Sequence, residues 1–176
     1  MKKVMLIGAL IAAVSIGSVA CAAPNKNPQA GDLKANVNYG FDQKEGGRSA
    51  HSRFSGGDVT YTINDKVDVQ YVNNYTKGDD GDKLNEHYLQ GVYRFTPYVS
   101  AYGGMSYVKA DTYRDQHFYG YQVGLKGQIP IGERWQGFAS VGVGDDVNSY
   151  SVGLGYDITK DWDAHIMYRR ADIDVD

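Results

Sequence analysis

The chain has a single cysteine, four prolines and no run of 18 consecutive apolar residues. Cys21 lies inside a segment that reads as a removable leader, so the exported chain has neither a disulfide nor thiol chemistry. Without a long apolar run there is no transmembrane helix. Basic residues number 18 against 21 acidic, and loss of Lys2 and Lys3 with the leader takes the formal charge from −3 to −5. Such a chain has no electrostatic footprint for nucleic acid. Asp79-Asp80-Gly81-Asp82 lacks the ligand order, the glycine position and the closing Glu of an EF-hand loop, so a solvated loop is expected there. No metal and no other cofactor is expected.

Residues 1–22 carry export signals. Lys2 and Lys3 form a charged start, Val4 to Val14 an apolar core, and Ala20-Cys21-Ala22 an A-x-A cleavage site. Cleavage after Ala22 leaves Ala23-Pro24 at the new terminus. Ser18-Val19-Ala20-Cys21 resembles a lipoprotein signal only loosely, because Ser18 stands where that pattern has a large aliphatic residue, so lipidation of Cys21 ranks second. Residues 23–31, with Pro24 and Pro28 and no periodicity, read as a periplasmic lead-in. Residues 32–176 read as one domain.

Tyrosine and glycine are plentiful, 15 and 22 residues, which points to strands with close-packed positions. The organising stretch is 149–169. Tyr150, Val152, Leu154, Tyr156 and Ile158 share one face of its first arm, against Ser151, Gly153, Gly155 and Asp157. After Thr159-Lys160-Asp161 the pattern resumes, with Trp162, Ala164, Ile166 and Tyr168 against Asp163, His165, Met167 and Arg169. A period of two with one wholly apolar face is a hairpin in a sheet that is dry on one side. The other face is built of groups suited to a small polar lumen, and apolar-out with polar-in is the pattern of a membrane-spanning barrel.

The same alternation runs through the rest. It predicts strands from 33 to 41, 57 to 64, 67 to 75, 87 to 95, 99 to 107, 117 to 129, 135 to 144, 149 to 158 and 162 to 169. Asn73 interrupts the outward set of the third. Compact turns at Asn64-Asp65-Lys66, Thr96-Pro97, 130–134 and 159–161 alternate with longer, charged loops at 42–55, 77–86 and 109–116 and a short one at 145–148. Tyr61, Phe95, Trp135, Tyr156 and Trp162 flank the turns, and Tyr39, Phe41, Tyr75, Tyr107, Tyr119, Tyr150 and Tyr168 lie toward the loops, giving two interfacial girdles. Segments of about 9 to 11 residues between girdles cross a bilayer when tilted.

On these features residues 31–169 resemble the small outer-membrane β-barrel proteins of bacteria with two membranes. The resemblance implies an all-β antiparallel transmembrane barrel in the outer membrane, embedded among lipid and lipopolysaccharide and delivered by the barrel-insertion machinery. Lys44, Arg48, His51 and Arg53 give the first loop a basic character suited to lipopolysaccharide phosphates as well as to plain solubility. Nine strands are visible, whereas such barrels have even counts and end on an aromatic residue, so ten are expected in the complete protein, an added strand descending to pair antiparallel with both edges.

The inward set Lys34, Asp58, Asp68, Arg94, Lys126, Asp157, Asp163, His165 and Arg169 mixes signs almost evenly, which reads as an internal ion-pair network rather than a selective filter. Gly120, Gly124, Gly142, Gly144, Gly153 and Gly155 leave room for water, so slow leakage is conceivable and a wide channel is not. Omptin proteases resemble the chain in strand count, with Asp79, Asp80, His87 and His117 at the rim, and lipid A palmitoyltransferases invite comparison through His51-Ser52. Loops of about ten residues build too little cleft for catalysis, and no enzyme is expected. The expected role is structural or surface-exposed; a low-conductance porin-like channel, or an adhesin acting through its loops, are the alternatives.

Overall fold

A computed structural model describes residues 2–15, 28–45, 48–77, 83–111, 115–145, 147–159 and 163–175. They form ten strands: β1 (Lys2–Ser15), β2 (Leu33–Glu45), β3 (Arg48–Thr62), β4 (Val67–Lys77), β5 (Lys83–Thr96), β6 (Val99–Asp111), β7 (Asp115–Pro130), β8 (Trp135–Gly144), β9 (Val147–Asp157) and β10 (Asp163–Val175). β2 to β10 pair antiparallel, each with the next, and β1 lies between β10 and β2 to close the barrel.

The usual relation of polarity to burial is inverted. Leu33, Val37, Val59, Leu89, Met105, Tyr121, Val123, Leu125, Val152, Leu154 and Ile166 all point outward and are exposed, while Asn36, Asn38, Asp58, Asp68, Gln70, Gln90, Gln122, Gln128 and Gln136 are buried. The period of two makes this possible, because successive Cβ atoms leave a strand on opposite faces and the closed ladder holds every strand in one phase. Closure also removes the sheet edges whose unpaired backbone groups no lipid satisfies.

Turn chemistry fixes the compact hairpin ends. Ile63 donates its N–H to the Val67 carbonyl at 2.9 Å, and the Lys66 N–H donates to Asn64 Oδ1 at 2.9 Å. At the next turn the N–H groups of Tyr98 and Val99 both donate to Thr96 Oγ1, at 3.1 and 3.0 Å. Gly31, at φ 92°, takes a left-handed bend that side chains disfavour, and its N–H donates to Thr62 O at 2.8 Å, tying the residues before β2 to the end of β3.

Two expectations change. The strands run further toward the loops than the apolar pattern reaches: most of 42–55, 83–86, 109–111 and 115–116 is strand. Ladder hydrogen bonds need no apolar face once a strand has left hydrocarbon, so polar residues continue the sheet. The tenth strand comes from Lys2–Ser15, the stretch expected to be a leader, and it runs antiparallel to both neighbours. From Val4 to Val14 that stretch is apolar on both faces, unlike every other strand of the wall. Lys34 Nζ, Asn36 Oδ1 and Asn38 Oδ1 on β2, both ring nitrogens of His165 on β10 and Gln128 Oε1 on β7 are buried without a hydrogen-bond partner.

Candidate functional site in the lumen

Among the described residues the buried polar side chains gather in the lumen. Toward the turns, Asp58 accepts from Asn36 Nδ2 at 2.9 Å, Gln70 Nε2 at 3.0 Å and Thr60 Oγ1 at 3.3 Å. Lys126 Nζ donates to Gln70 Oε1 at 2.7 Å and lies 4.8 Å from the centre of the Tyr102 ring. Asp68 accepts from Thr62 Oγ1 at 2.8 Å and pairs with Arg94, whose guanidinium also donates to the Asp65 carbonyl at 3.2 Å. Each of these carboxylates has donors that offset its desolvation.

At mid-height Gln90 Nε2 donates to Gln122 Oε1 at 3.3 Å, and Gln122 Nε2 donates to Ser149 Oγ at 3.3 Å. Ser140 and Ser151 share a 2.8 Å bond. Toward the loops, Arg169 Nη1 and Nη2 both donate to Glu86 Oε2, at 3.1 and 3.2 Å, and the Tyr88 hydroxyl donates to Glu86 Oε1 at 3.2 Å. Glu86 and Arg169 are 83 positions apart and lie on β5 and β10. Removing one partner strands a buried charge, at about 3–5 kcal/mol.

The nine sequence-predicted lumen residues are thus distributed as follows. Lys34, Asp58, Asp68, Asp163 and His165 are buried; Arg94, Lys126, Asp157 and Arg169 are partly buried. Arg94 with Asp68 is a direct ion pair, and Arg169 pairs with Glu86, which lay in a predicted loop. Asp157 faces Asp163 across the β9–β10 ladder, and the T-shaped contact of His165 with Phe138 has ring centres 6.0 Å apart. Glu86 and Tyr88 were legible in principle, since they continue the even-numbered inward phase of β5 past the outward Leu89.

Gly124, Gly142 and Gly153 do not leave the space expected of them. A Cβ on Gly124 or Gly142 would collide with Tyr102 and one on Gly153 with Phe138 and the Ile166 carbonyl, while one on Gly155 would press on Gln136. Glycine on these strands therefore makes room for large inward side chains, not for a column of water.

On the outer wall, Tyr61, Phe95 and Trp135 are exposed near the turns, Tyr156 packs on Trp135 with ring centres 4.9 Å apart, and Tyr39, Tyr119, Tyr150 and Tyr168 are exposed toward the loops. Tyr75 and Tyr107 are partly buried there, Tyr107 packing on Tyr119 at 4.9 Å between ring centres. His87 and His117 face outward as well: Tyr71 Oη lies 2.7 Å from His87 Nδ1 and Tyr107 Oη 2.9 Å from His117 Nδ1. Asn73, which broke the outward pattern, donates to Asn85 Oδ1 at 2.8 Å and so satisfies a polar pair at the rim. Trp162, Asp79 and Asp80, and the side chains of Phe41, Lys44, Arg48, His51 and Ser52, lie outside the described residues. Among the described residues no helix is long and apolar enough to cross a membrane, and no three His, Cys, Asp or Glu residues cluster as metal ligands.

A closed antiparallel barrel with an apolar exterior, interfacial aromatics and a polar interior defines a β-barrel membrane protein. The profile of the Gram-negative porins matches residues 17–176, and the chain belongs to that family. Its place is the bacterial outer membrane. No curated protein sequence matches the chain. Two solved structures are similar to it: OmpT of Vibrio cholerae folded in vitro, at 18% identity over 82% of this chain and 53% of that one with a TM-score of 0.36, and an OmpT variant lacking loop L8, at 17% identity over 79% and 49% with a TM-score of 0.35. The chain spans about half the length of both.

Proposed function

We propose that this chain is a structural, non-catalytic outer-membrane barrel whose lumen is closed at rest, in contact with lipid and lipopolysaccharide outside and brought to the membrane by the barrel-insertion machinery. The observation that carries this reading is the set of bonds joining strands that are not neighbours: Lys126 to Gln70, Gln90 to Gln122, Gln122 to Ser149 and Arg169 to Glu86 occupy the lumen at successive levels. Side chains hydrogen-bonded across the lumen at several levels narrow the water path, and Arg169 with Glu86 joins opposite walls. The non-catalytic reading is supported by His87 and His117, each in contact with a tyrosine hydroxyl on the lipid side of the wall.

The test is solute flux. Liposomes containing the purified, folded chain are expected to swell no faster in isosmotic arabinose or glycine than empty liposomes. Rapid swelling would make the protein an open channel at rest and overturn the reading.

A further inference from the structure

The lumen is not sealed equally along its length. β5 and β10 are separated by five steps in either direction round the ten-strand ring, so Glu86 and Arg169 reach toward each other from opposite walls. Arg94 with Asp68 is an ion pair between adjacent strands and so does not span the bore. Toward the loops Tyr88, Phe54 and Val108 are buried, and buried Asn74 faces Glu86 across the β4–β5 ladder. Below the pair, among buried Val92, Tyr102 and Phe138, neutral amide bonds such as Gln90 to Gln122 exchange for bonds to water at small net cost.

We propose that Glu86 and Arg169 form a latch that holds a potential ion path shut, and that the barrel conducts small ions when the latch opens. The proposal rests on the closed-lumen reading above and adds where the closure resides. Both oxygens of the Glu86 carboxylate are engaged, one by Arg169 and one by Tyr88, and its side chain is 3% exposed. The Arg169 side chain is 19% exposed, so Glu86 is the more deeply buried half of the pair. The Glu86 carboxylate is buried, so its charge-assisted bridge to Arg169 is stronger than the neutral amide bridges below, and its opening exposes them to water. Lys34, Arg94 and Lys126 against Asp58, Asp68 and Asp163 give the path beneath the latch a balanced charge, and the open state should select only weakly between cations and anions.

The experiment is single-channel recording of the full chain in planar bilayers, with heat-modifiable gel mobility certifying that each preparation is folded. Wild type should be nearly silent. E86A/R169A removes both charges together and leaves neither stranded, and its mean current should rise by about tenfold or more, which corresponds to about 1.4 kcal/mol lost from the closed state. E86Q/R169M, neutral at nearly constant volume, carries the same expectation if the alanine pair does not fold. The swapped pair E86R/R169E should be silent again, a rescue that a merely space-filling role would not require. Folded neutral variants as silent as wild type would overturn the latch while leaving the closed lumen standing. A swapped pair as leaky as the neutral one would show that charge pairing is not the closure. A wild type already as open as E86A/R169A would overturn the closed lumen itself.

Discussion

Val123 and Gln122 are adjacent in the middle of β7, and the two are expected to obey opposite rules. Val123 is 49% exposed on the outer wall; Gln122 is 5% exposed and bonded to Gln90 and Ser149. An arginine at position 123 would put a charge near the centre of the hydrocarbon, a cost of about 2–4 kcal/mol, whereas leucine there should shift stability by less than about 0.5 kcal/mol. At position 122 leucine is the damaging choice. It deletes two hydrogen bonds and leaves the Gln90 amide and the Ser149 hydroxyl unsatisfied in the lumen, so about 1–3 kcal/mol should be lost. A polar side chain thus holds the inside and an apolar one the outside. Urea titration of folding into phosphatidylcholine bilayers, read by heat-modifiable mobility and tryptophan fluorescence, measures all three variants on one scale. Tolerance of Val123→Arg together with stabilisation by Gln122→Leu would mean a water-soluble barrel with its dry face inside, and the assignment of the wall to lipid would fall.

The packing of the lumenal glycines predicts that Gly153→Val, whose new methyls meet Phe138 and the Ile166 carbonyl, costs about 1–3 kcal/mol in the same titration; an unchanged midpoint would show that the lumen is looser than the structure has it. Export is expected to remove residues 1–22, so intact-mass measurement of protein extracted from outer membranes should give a chain beginning at Ala23. A mature protein retaining Met1 would instead establish Lys2–Ser15 as a working wall strand, and a lipid-modified Cys21 would move the protein to the lipoproteins.

Much of the wall was legible because lipid imposes a rule on every second residue. Tyr119, Tyr121, Val123, Leu125 and Ile129 declare the outward phase of β7 without any knowledge of their neighbours, and β8 has the bounds that the alternation alone suggests, Trp135–Gly144. The rule ends at the edge of hydrocarbon, which is why Arg48 to Ser55 and Lys83 to Glu86 read as loop although the ladder continues through them. In those stretches the phase persists but hydropathy no longer marks it.

The lumen was legible as a set and not as a network. That Asp58, Asp68, Lys126 and Arg169 face inward follows from strand parity, which is a local property. That Arg169 meets Glu86 does not, because partners across a bore are fixed by the number of strands and their stagger, quantities that belong to the closed barrel as a whole. The same reasoning bears on β1. Backbone ladders ask of a closing strand only that it be extended, and Lys2–Ser15 satisfies that demand at both seams. Side chains ask more: Lys34, Asn36 and Asn38 on β2 and His165 on β10 each present a buried polar atom with no partner, as does Gln128 on β7, away from either seam. A buried amide or ammonium left so costs several times the net worth of one ladder bond. Lys2–Ser15 therefore has the hydropathy of a leader and the pairing of a strand, and the mass of the mature chain decides between them.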